Sequence, residues 1–351
     1  MRLSELAKPT EHKLLGQDVE VGELQYNSRK VKAGDVFCCI VGTFADGHAY
    51  AAQAVEQGAA ALVVERELPL AVPQVLVPNT RIAMAEMAAG YYGYPAKDMT
   101  IIGITGTNGK TSTTYMLKAI AERMGKKVGL IGTIRNMIGD FIIDTEGTTP
   151  ESVDLQRIFR QMKDEQVDVV IMEVSSHSLD QKRVHGIQFQ VGEFTNLTQD
   201  HLDYHKTFAN YLAAKKQLFY QSDKAVVNID DSHAQELLAG LDLPVMTFGI
   251  REQADITASE IDITTRGVQF DLHYRNITSR MNIPIPGLFG CYNAKKQFGD
   301  WNSDVYYGNL TQNGGKASEC IGCGQCERAC PQHLPVIRHL KETAALFETQ
   351  A

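Results

Sequence analysis

The residues best equipped for chemistry lie in the stretch IIGITGTNGKTST, where an apolar run meets glycines at Gly103, Gly106 and Gly109 and ends at Lys110 and Thr111, at the start of a helix. This order of residue types forms a phosphate cradle. Backbone N–H groups of the loop and helix N-terminus face phosphate oxygens, Lys110 adds a point charge, and the Thr111 hydroxyl can hold Mg²⁺. The spacing departs from G-x-x-x-x-G-K-[ST]: Ile104 stands at the first glycine position, and Gly103 and Gly106 bracket it.

Three further groups follow. The run VDVVIMEV ends in Glu173, a carboxylate at a strand end where α/β proteins place their ligands; it is either a second Mg²⁺ ligand or a solvated strand-end glutamate. The segment FTNLTQDHLDYHKTFANYLAAKKQLF holds Asp200, His201, Asp203 and His205, then a helix with Lys215 and Lys216. The His201/His205 spacing suits Zn²⁺, but no Glu base lies between them, and nearby phosphate chemistry favours Mg²⁺. TEGTTPES offers hydroxyls at Thr148 and Thr149 before a proline-started helix, as an anion-binding turn or simply a cap. Four of the seven cysteines fall at Cys320, Cys323, Cys326 and Cys330, in C-x2-C-x2-C-x3-C-P spacing. In a cytosolic chain such a cluster reads as metal: a [4Fe–4S] site, with Zn²⁺ as the alternative.

The elements that must position these groups follow an α/β rhythm. VFCCIV, AAALVVE and PQVLVP read as strands, with helices over HAYAAQAVEQG and Thr80–Gly93, and YGYPAKDM reads as a linker. From Thr100 a second parallel unit begins: TIIGITG, a helix from Thr111 to Met124, KKVGLIGT, a helix from Glu151 to Lys163, VDVVIMEV, then FQVGEFTNL, KAVVNIDD, PVMTFG and VQFDLHY. The expected fold is a small α/β domain over residues 1–98, a P-loop parallel-sheet domain over 99–294, and a cysteine-rich tail over 295–351. A length of 351 residues suits two or three domains, and 44% hydrophobic content fills more than one core. A formal charge of −8 excludes a basic field for nucleic acid or anionic lipid. No apolar run approaches the ~20 residues of a membrane span, and MRLSELAKPTEH lacks a signal-peptide core, so a cytoplasmic protein without membrane insertion is expected.

Taken in order, GTNGKT, TTPES, MEVSSHSLDQKRV, TNLTQDHLDYH with Lys215 downstream, VVNIDD and GLFGCYNA resemble the Mur ligases of the MurE type. YNSRKVKAGDVFCCIVGTFADGHAYAAQAVEQGAAALVVE is similar to that family's UDP-binding domain, so the resemblance covers residues 1 to about 294. It implies an ATP-dependent, ADP-forming ligase of peptidoglycan synthesis. Such an enzyme adds meso-diaminopimelate or L-lysine to UDP-N-acetylmuramoyl-L-alanyl-D-glutamate through an acyl phosphate. It also implies roles for individual residues. Gly106, Thr107, Asn108, Gly109, Lys110, Thr111 and Ser112 would bind ATP phosphates and Asn293 the adenine. Thr111, Glu173 and His201 would serve Mg²⁺, with Lys215 as an N6-carboxylysine. Tyr26, Ser28, Thr43, Phe44 and Ala45 would meet the UDP end of the substrate, and Thr148, Thr149, Ser175, Gln181 and Arg183 the muramoyl-peptide. Folylpolyglutamate synthetases share the P-loop domain but lack the N-terminal one.

The end of the chain departs from that family. Its third domain, with an Asp-Asn-Pro-Arg signature for the diamino acid, is not matched, and ligation is expected to be impaired. The stretch from Trp301 to Phe347 instead looks like the ferredoxin-type tail of some aldo/keto reductases, whose barrel is not present. An iron–sulfur electron-transfer or sensor protein with a nucleotide-binding module is the rival expectation.

Overall fold

The structure is a computed structural model that describes residues 1–42, 45–143, 147–264, 267–283, 316–322 and 336–348. It is a mixed α/β protein that divides into two compact units, Met1–Met246 and Thr247–Ala351.

The first unit opens with α1 (Leu3–Ala7), β1 (Lys13–Leu15), β2 (Leu24–Gln25), β3 (Val36–Cys38), α2 (Ala51–Glu56), β4 (Ala61–Val64), β5 (Gln74–Leu76) and α3 (Thr80–Tyr91). The strands lie in the order β1-β5-β4-β3-β2, parallel except for β1 against β5. Val36, Cys38, Ala61 and Val63 pack with Leu3, Leu6, Met84 and Met87 on one face, while Phe37, Leu62 and Val64 meet Ala51 and Ala54 on the other. A sheet covered on both faces needs apolar residues at every position, which is why VFCCIV and AAALVVE carry no alternation.

A second sheet follows. Its elements are β6 (Thr100–Thr105), α4 (Lys110–Arg123), β7 (Val128–Ile131), β8 (Asn136–Ile138), β9 (Phe141–Ile143), α5 (Ser152–Asp164), β10 (Val169–Glu173), α6 (Ser176–Asp180), β11 (Val191–Phe194), α7 (Leu202–His205), α8 (Phe208–Lys216), β12 (Ala225–Asn228) and α9 (Ala234–Leu238). The strand order is β12-β11-β6-β10-β7-β8-β9. Helix α5 buries Leu155, Ile158, Phe159 and Met162 in the main core, the i, i+3, i+4, i+7 set of one helical face. Burying each such side chain stabilises by about 1.5–3 kcal/mol. On the opposite face Ile104, Val128 and Ile171 meet Leu117 and Ala121 of α4.

The second unit contains β13 (Val245–Gly249, which begins in the first), β14 (Ile256–Thr264), β15 (Gly267–Tyr274), β16 (Ile277–Ile283), a 3₁₀ turn at Ala317–Glu319 and α10 (Val336–Phe347). Strands β14, β15 and β16 form an antiparallel meander. Ala317 packs against Leu340, Ala344 and Phe347.

Two features differ from the sequence reading. The β8–β9 hairpin has no counterpart there, because strands of three residues are too short to display a period of two. The linker YGYPAKDM folds as a 3₁₀ turn over Pro95–Asp98, entered through a left-handed Tyr94.

Candidate functional site

Strand order reverses around β6: the chain reaches β7 on one side, and β11 and β12 on the other, so the carboxyl ends of β6, β10 and β11 border one crevice. The phosphate loop leaves β6 at this point. Gly106 has φ +148°, and a Cβ there would collide with Thr195 Oγ1, so both conformation and space demand glycine. Gly103 is different: it lies inside β6, where a Cβ would press on Phe189 and Leu218. It belongs to sheet packing rather than to the cradle, which corrects the reading of that glycine.

The loop is tied to the segment after β11. Thr107 N–H donates to the Asn196 carbonyl at 2.9 Å and Asn108 N–H to Asn196 Oδ1 at 2.9 Å. Thr195 Oγ1 donates to the Asn108 carbonyl at 2.6 Å, and Thr198 N–H donates to Thr107 Oγ1 at 3.0 Å, which also meets Tyr211 Oη at 3.1 Å. Thr195, Asn196, Thr198 and Tyr211 thus hold the cradle. The TNLT sequence is visible in the chain, but its pairing with a loop some ninety positions earlier has no local signal. Lys110 Nζ folds back to donate to the carbonyls of Gly106 and Thr107, each at 2.8 Å. Burial lowers the Lys110 ammonium's pKa, while Glu173 and Asp200 act to raise it. Thr111 and Ser112 open α4 beside it.

Glu173 ends β10 with a relative exposure of only 1%. Its Oε1 accepts from Thr133 N–H at 3.0 Å and its Oε2 from Thr133 Oγ1 at 2.9 Å. Gly132 makes this possible, since a Cβ there would overlap Oε1 and sit 3.1 Å from Cδ and 3.2 Å from Cγ. A solvated strand-end glutamate is therefore excluded. Neither Gly132 nor Thr133 stands out in the sequence.

Lys215, in the last turn of α8, is 1% exposed, with Nζ 4.4 Å from the centroid of the Tyr211 ring. Its pKa falls well below the usual value because of burial and the like charge of Lys110, against which Asp200 is a weaker opposing influence. Burial thus favours the uncharged, nucleophilic form of this amine more than water does. His201 is the left-handed residue before α7, with φ 52°, and its Nε2 lies 3.4 Å from Asp200 Oδ2. His205 is buried against Ser176 Oγ at 2.9 Å. His177 meets His201 edge-to-face and Tyr204 and His205 at a tilt, and burial followed by the two histidines lowers its pKa to about 4.

Of the substrate candidates, Thr149 is buried; its hydroxyl donates to the Glu173 carbonyl at 2.9 Å and accepts from Ser175 N–H at 3.2 Å. Thr148 Oγ1 lies 3.0 Å from Thr133 Oγ1 and, since the Thr133 proton goes to Glu173, is the donor of that pair. Ser175 caps α6, and Gln181 Oε1 accepts from Arg183 Nη2 at 2.7 Å. These residues border Glu173. Tyr26 and Ser28 follow β2 and Ala45 follows β3, at one end of the first, separate sheet; Tyr26 Oη donates to Asp154 Oδ2 and Ser28 Oγ to Gln53 Oε1. Thr43, Phe44, Asn293, Cys323, Cys326 and Cys330 lie outside the described residues, and Cys320 follows the Ala317–Glu319 turn.

Among the described residues no three His, Cys, Asp or Glu side chains converge as a metal-ligand group. Mg²⁺ asks for less: one or two carboxylates plus phosphate oxygens suffice, and buried Glu173 beside the loop fits that demand. No helix among the described residues is long and apolar enough to cross a membrane.

The model of the Mur ligase middle domain matches residues 104–296, that of the Mur ligase family catalytic domain residues 20–92, and that of a 4Fe-4S dicluster domain residues 290–335. The chain is 45% identical over 305 residues to UDP-N-acetylmuramoyl-L-alanyl-D-glutamate--2,6-diaminopimelate ligase of Clostridium botulinum, covering 85% of this chain and 63% of that protein. It is 46% identical over 299 residues to ligase 1 of the same name from Clostridium acetobutylicum, covering 84% and 62%. It thus spans a little under two thirds of the length of these relatives. A solved structure of UDP-N-acetylmuramoyl-L-alanyl-D-glutamate--2,6-diaminopimelate ligase shares the fold, with a TM-score of 0.69 at 24% identity over 86% of this chain and 65% of that one. Since the middle-domain model alone covers more than half of its residues, the chain belongs to the Mur ligase family.

Proposed function

We propose that residues 1–98 take the UDP end of UDP-N-acetylmuramoyl-L-alanyl-D-glutamate, that residues 99–294 use ATP to activate its carboxylate for a diamino acid, meso-diaminopimelate or L-lysine, and that residues 295–351 form an iron–sulfur tail. The observation that carries this reading is the convergence of the phosphate loop, Lys110, buried Glu173 and buried Lys215 at the carboxyl ends of neighbouring strands and the helix beside them.

The steps follow from the residues. Loop N–H groups and Lys110 hold the β and γ phosphates. The substrate carboxylate attacks the γ phosphorus, the bond to the bridging oxygen breaks, and ADP leaves an acyl phosphate. An amine then attacks the acyl carbon and phosphate departs as the amide forms. Thr111, Glu173, His201 and Lys215 as its carbamate would hold Mg²⁺, which supplies charge neutralisation for phosphoryl transfer. Lys215 suits that modification: burial favours its uncharged form, in which the amine attacks CO₂, loses a proton, and becomes an anion beside Lys110. Arg183, with Gln181, Ser175, Thr148 and Thr149, receives the peptide. The site works in the cytoplasm, where ATP and the UDP precursor meet.

The activating step is separable from the amine step, in which positioning of the amine can be worth ~7–11 kcal/mol. The test is phosphate release with the UDP-muramoyl-dipeptide, with hydroxylamine as a trap. ATP-dependent hydroxamate formed only with the dipeptide substrate supports the reading; no substrate-dependent phosphate overturns it. The cysteine spacing and the 4Fe-4S match favour a second reading, a redox-sensing module. ATP affinity that follows the redox state would support it.

A further inference from the structure

We infer that Glu151 and Arg81 are positioning residues for the substrate's peptide carboxylate, acting through Arg183; this rests on the substrate reading above. Glu151 precedes α5 and makes no cap hydrogen bond, so its carboxylate is not spent on the helix. Its Oε1 lies 3.0 Å from Arg183 Nε and its Oε2 3.5 Å from Arg81 Nη1. All three side chains are largely enclosed, at 16%, 15% and 23% exposure for Arg81, Glu151 and Arg183, so the bridge is not an ordinary surface pair of ~0–1 kcal/mol. Arg81 reaches this point from α3, on the first sheet, and also donates to the Gln181 carbonyl at 3.2 Å. One carboxylate thus joins the two sheets' elements at the residue expected to read the peptide.

The hydrogen-bond arithmetic of Arg183 points the same way. Nε donates towards Gln181 Oε1 and Glu151 Oε1, Nη1 to the Thr149 carbonyl at 2.9 Å and Nη2 to Gln181 Oε1 at 2.7 Å. A guanidinium has five N–H groups, so one remains on each of Nη1 and Nη2 for a ligand's oxygens. Two arginines against one glutamate leave one positive charge, which matches a single carboxylate. Glu151 itself competes electrostatically with that ligand. Positioning and plain Coulomb attraction therefore predict opposite signs for its removal.

Calorimetry on the full chain, with UDP and with UDP-N-acetylmuramoyl-L-alanyl-D-glutamate as probes, separates them. Glu151→Ala should weaken the dipeptide substrate about fivefold or more, close to 1 kcal/mol, and leave UDP unchanged. Arg81→Met should do the same in lesser degree, and replaces Glu151→Ala if that variant does not fold. In an Arg183→Ala background either change should have no further effect, a coupling that a merely structural role would not produce. Unchanged or tighter dipeptide binding, an equal loss for UDP, or full additivity with Arg183→Ala overturns the inference. Wild-type protein that binds the dipeptide no better than UDP overturns the substrate reading as well, which distinguishes the two failures.

Discussion

The placement of Glu173 depends on a hydrogen atom at position 132, and Gly132→Ala tests that dependence. Position 132 is buried and its φ lies outside the left-handed region, so the added methyl group brings no backbone strain of its own. It would overlap Glu173 Oε1 and crowd Cδ at 3.1 Å and Cγ at 3.2 Å, so the carboxylate must retreat by about 1 Å to reach normal contact. That movement breaks or stretches the bonds from Thr133 N–H and Oγ1, now 3.0 and 2.9 Å. Hydrogen bonds to a charged group are worth about 1.5–3 kcal/mol each, so a loss of about 2 kcal/mol in stability is expected. The larger effect is functional, since a shift of about 1 Å at a group that positions reacting atoms can cost ~100-fold in rate. Calorimetry with ATP at stepped Mg²⁺ should show Mg·ATP bound at least ~10-fold more weakly, about 1.4 kcal/mol, while ATP in EDTA is nearly unaffected because the loop is intact. Thr133→Val, which removes one of the two donors, should give a smaller loss of the same kind. If Gly132→Ala binds Mg·ATP as the wild type does, or loses affinity equally with and without Mg²⁺, Glu173 is not a metal-side carboxylate.

Lys110→Ala should weaken ATP binding about tenfold or more in the same experiment, and an unchanged Kd would remove the loop assignment. Labelled bicarbonate should give a carbon-13 carbamate resonance that Lys215→Ala abolishes, because burial lowers the pKa of this amine and so favours its nucleophilic form; a spectrum without it counts against the modification. Burial pushes the Glu193 carboxyl up to about 7 from an ordinary 4.5. The folded state then holds this proton more tightly than the unfolded one, so the stabilisation is complete below pH 4.5 and disappears as pH rises through 7. Glu193→Gln should consequently be more stable than wild type at pH 8 by about 2–3 kcal/mol, and no better at pH 4.5, in urea unfolding. His177, neutral in the fold with its pKa lowered to about 4, acts in the opposite direction as pH falls below 6.5, so the difference between the two proteins is the quantity to compare. A constant difference across pH would show that Glu193 is ionised and solvated.

The form of the loop and most of the scaffold were legible in the amino-acid order, because their causes are local. A glycine turn, Lys110 and Thr111 fall within one strand-to-helix crossing, and a strand covered on both faces must be apolar throughout, as Ala61–Val64 is. Helices α4 and α5 begin and end within a residue of the sequence reading for the same reason. What holds the site together was not legible. Asn196 braces Asn108, Thr133 clasps Glu173, Tyr211 meets Thr107 and Glu151 bridges Arg81 to Arg183, and each pair is brought together only by the order of strands and the helices between them. The lowered pKa of Lys215 is of the same kind. A lysine in a helix is ordinarily a solvated cation, and only its enclosure beside Lys110 and against Tyr211 removes the water that would keep it charged.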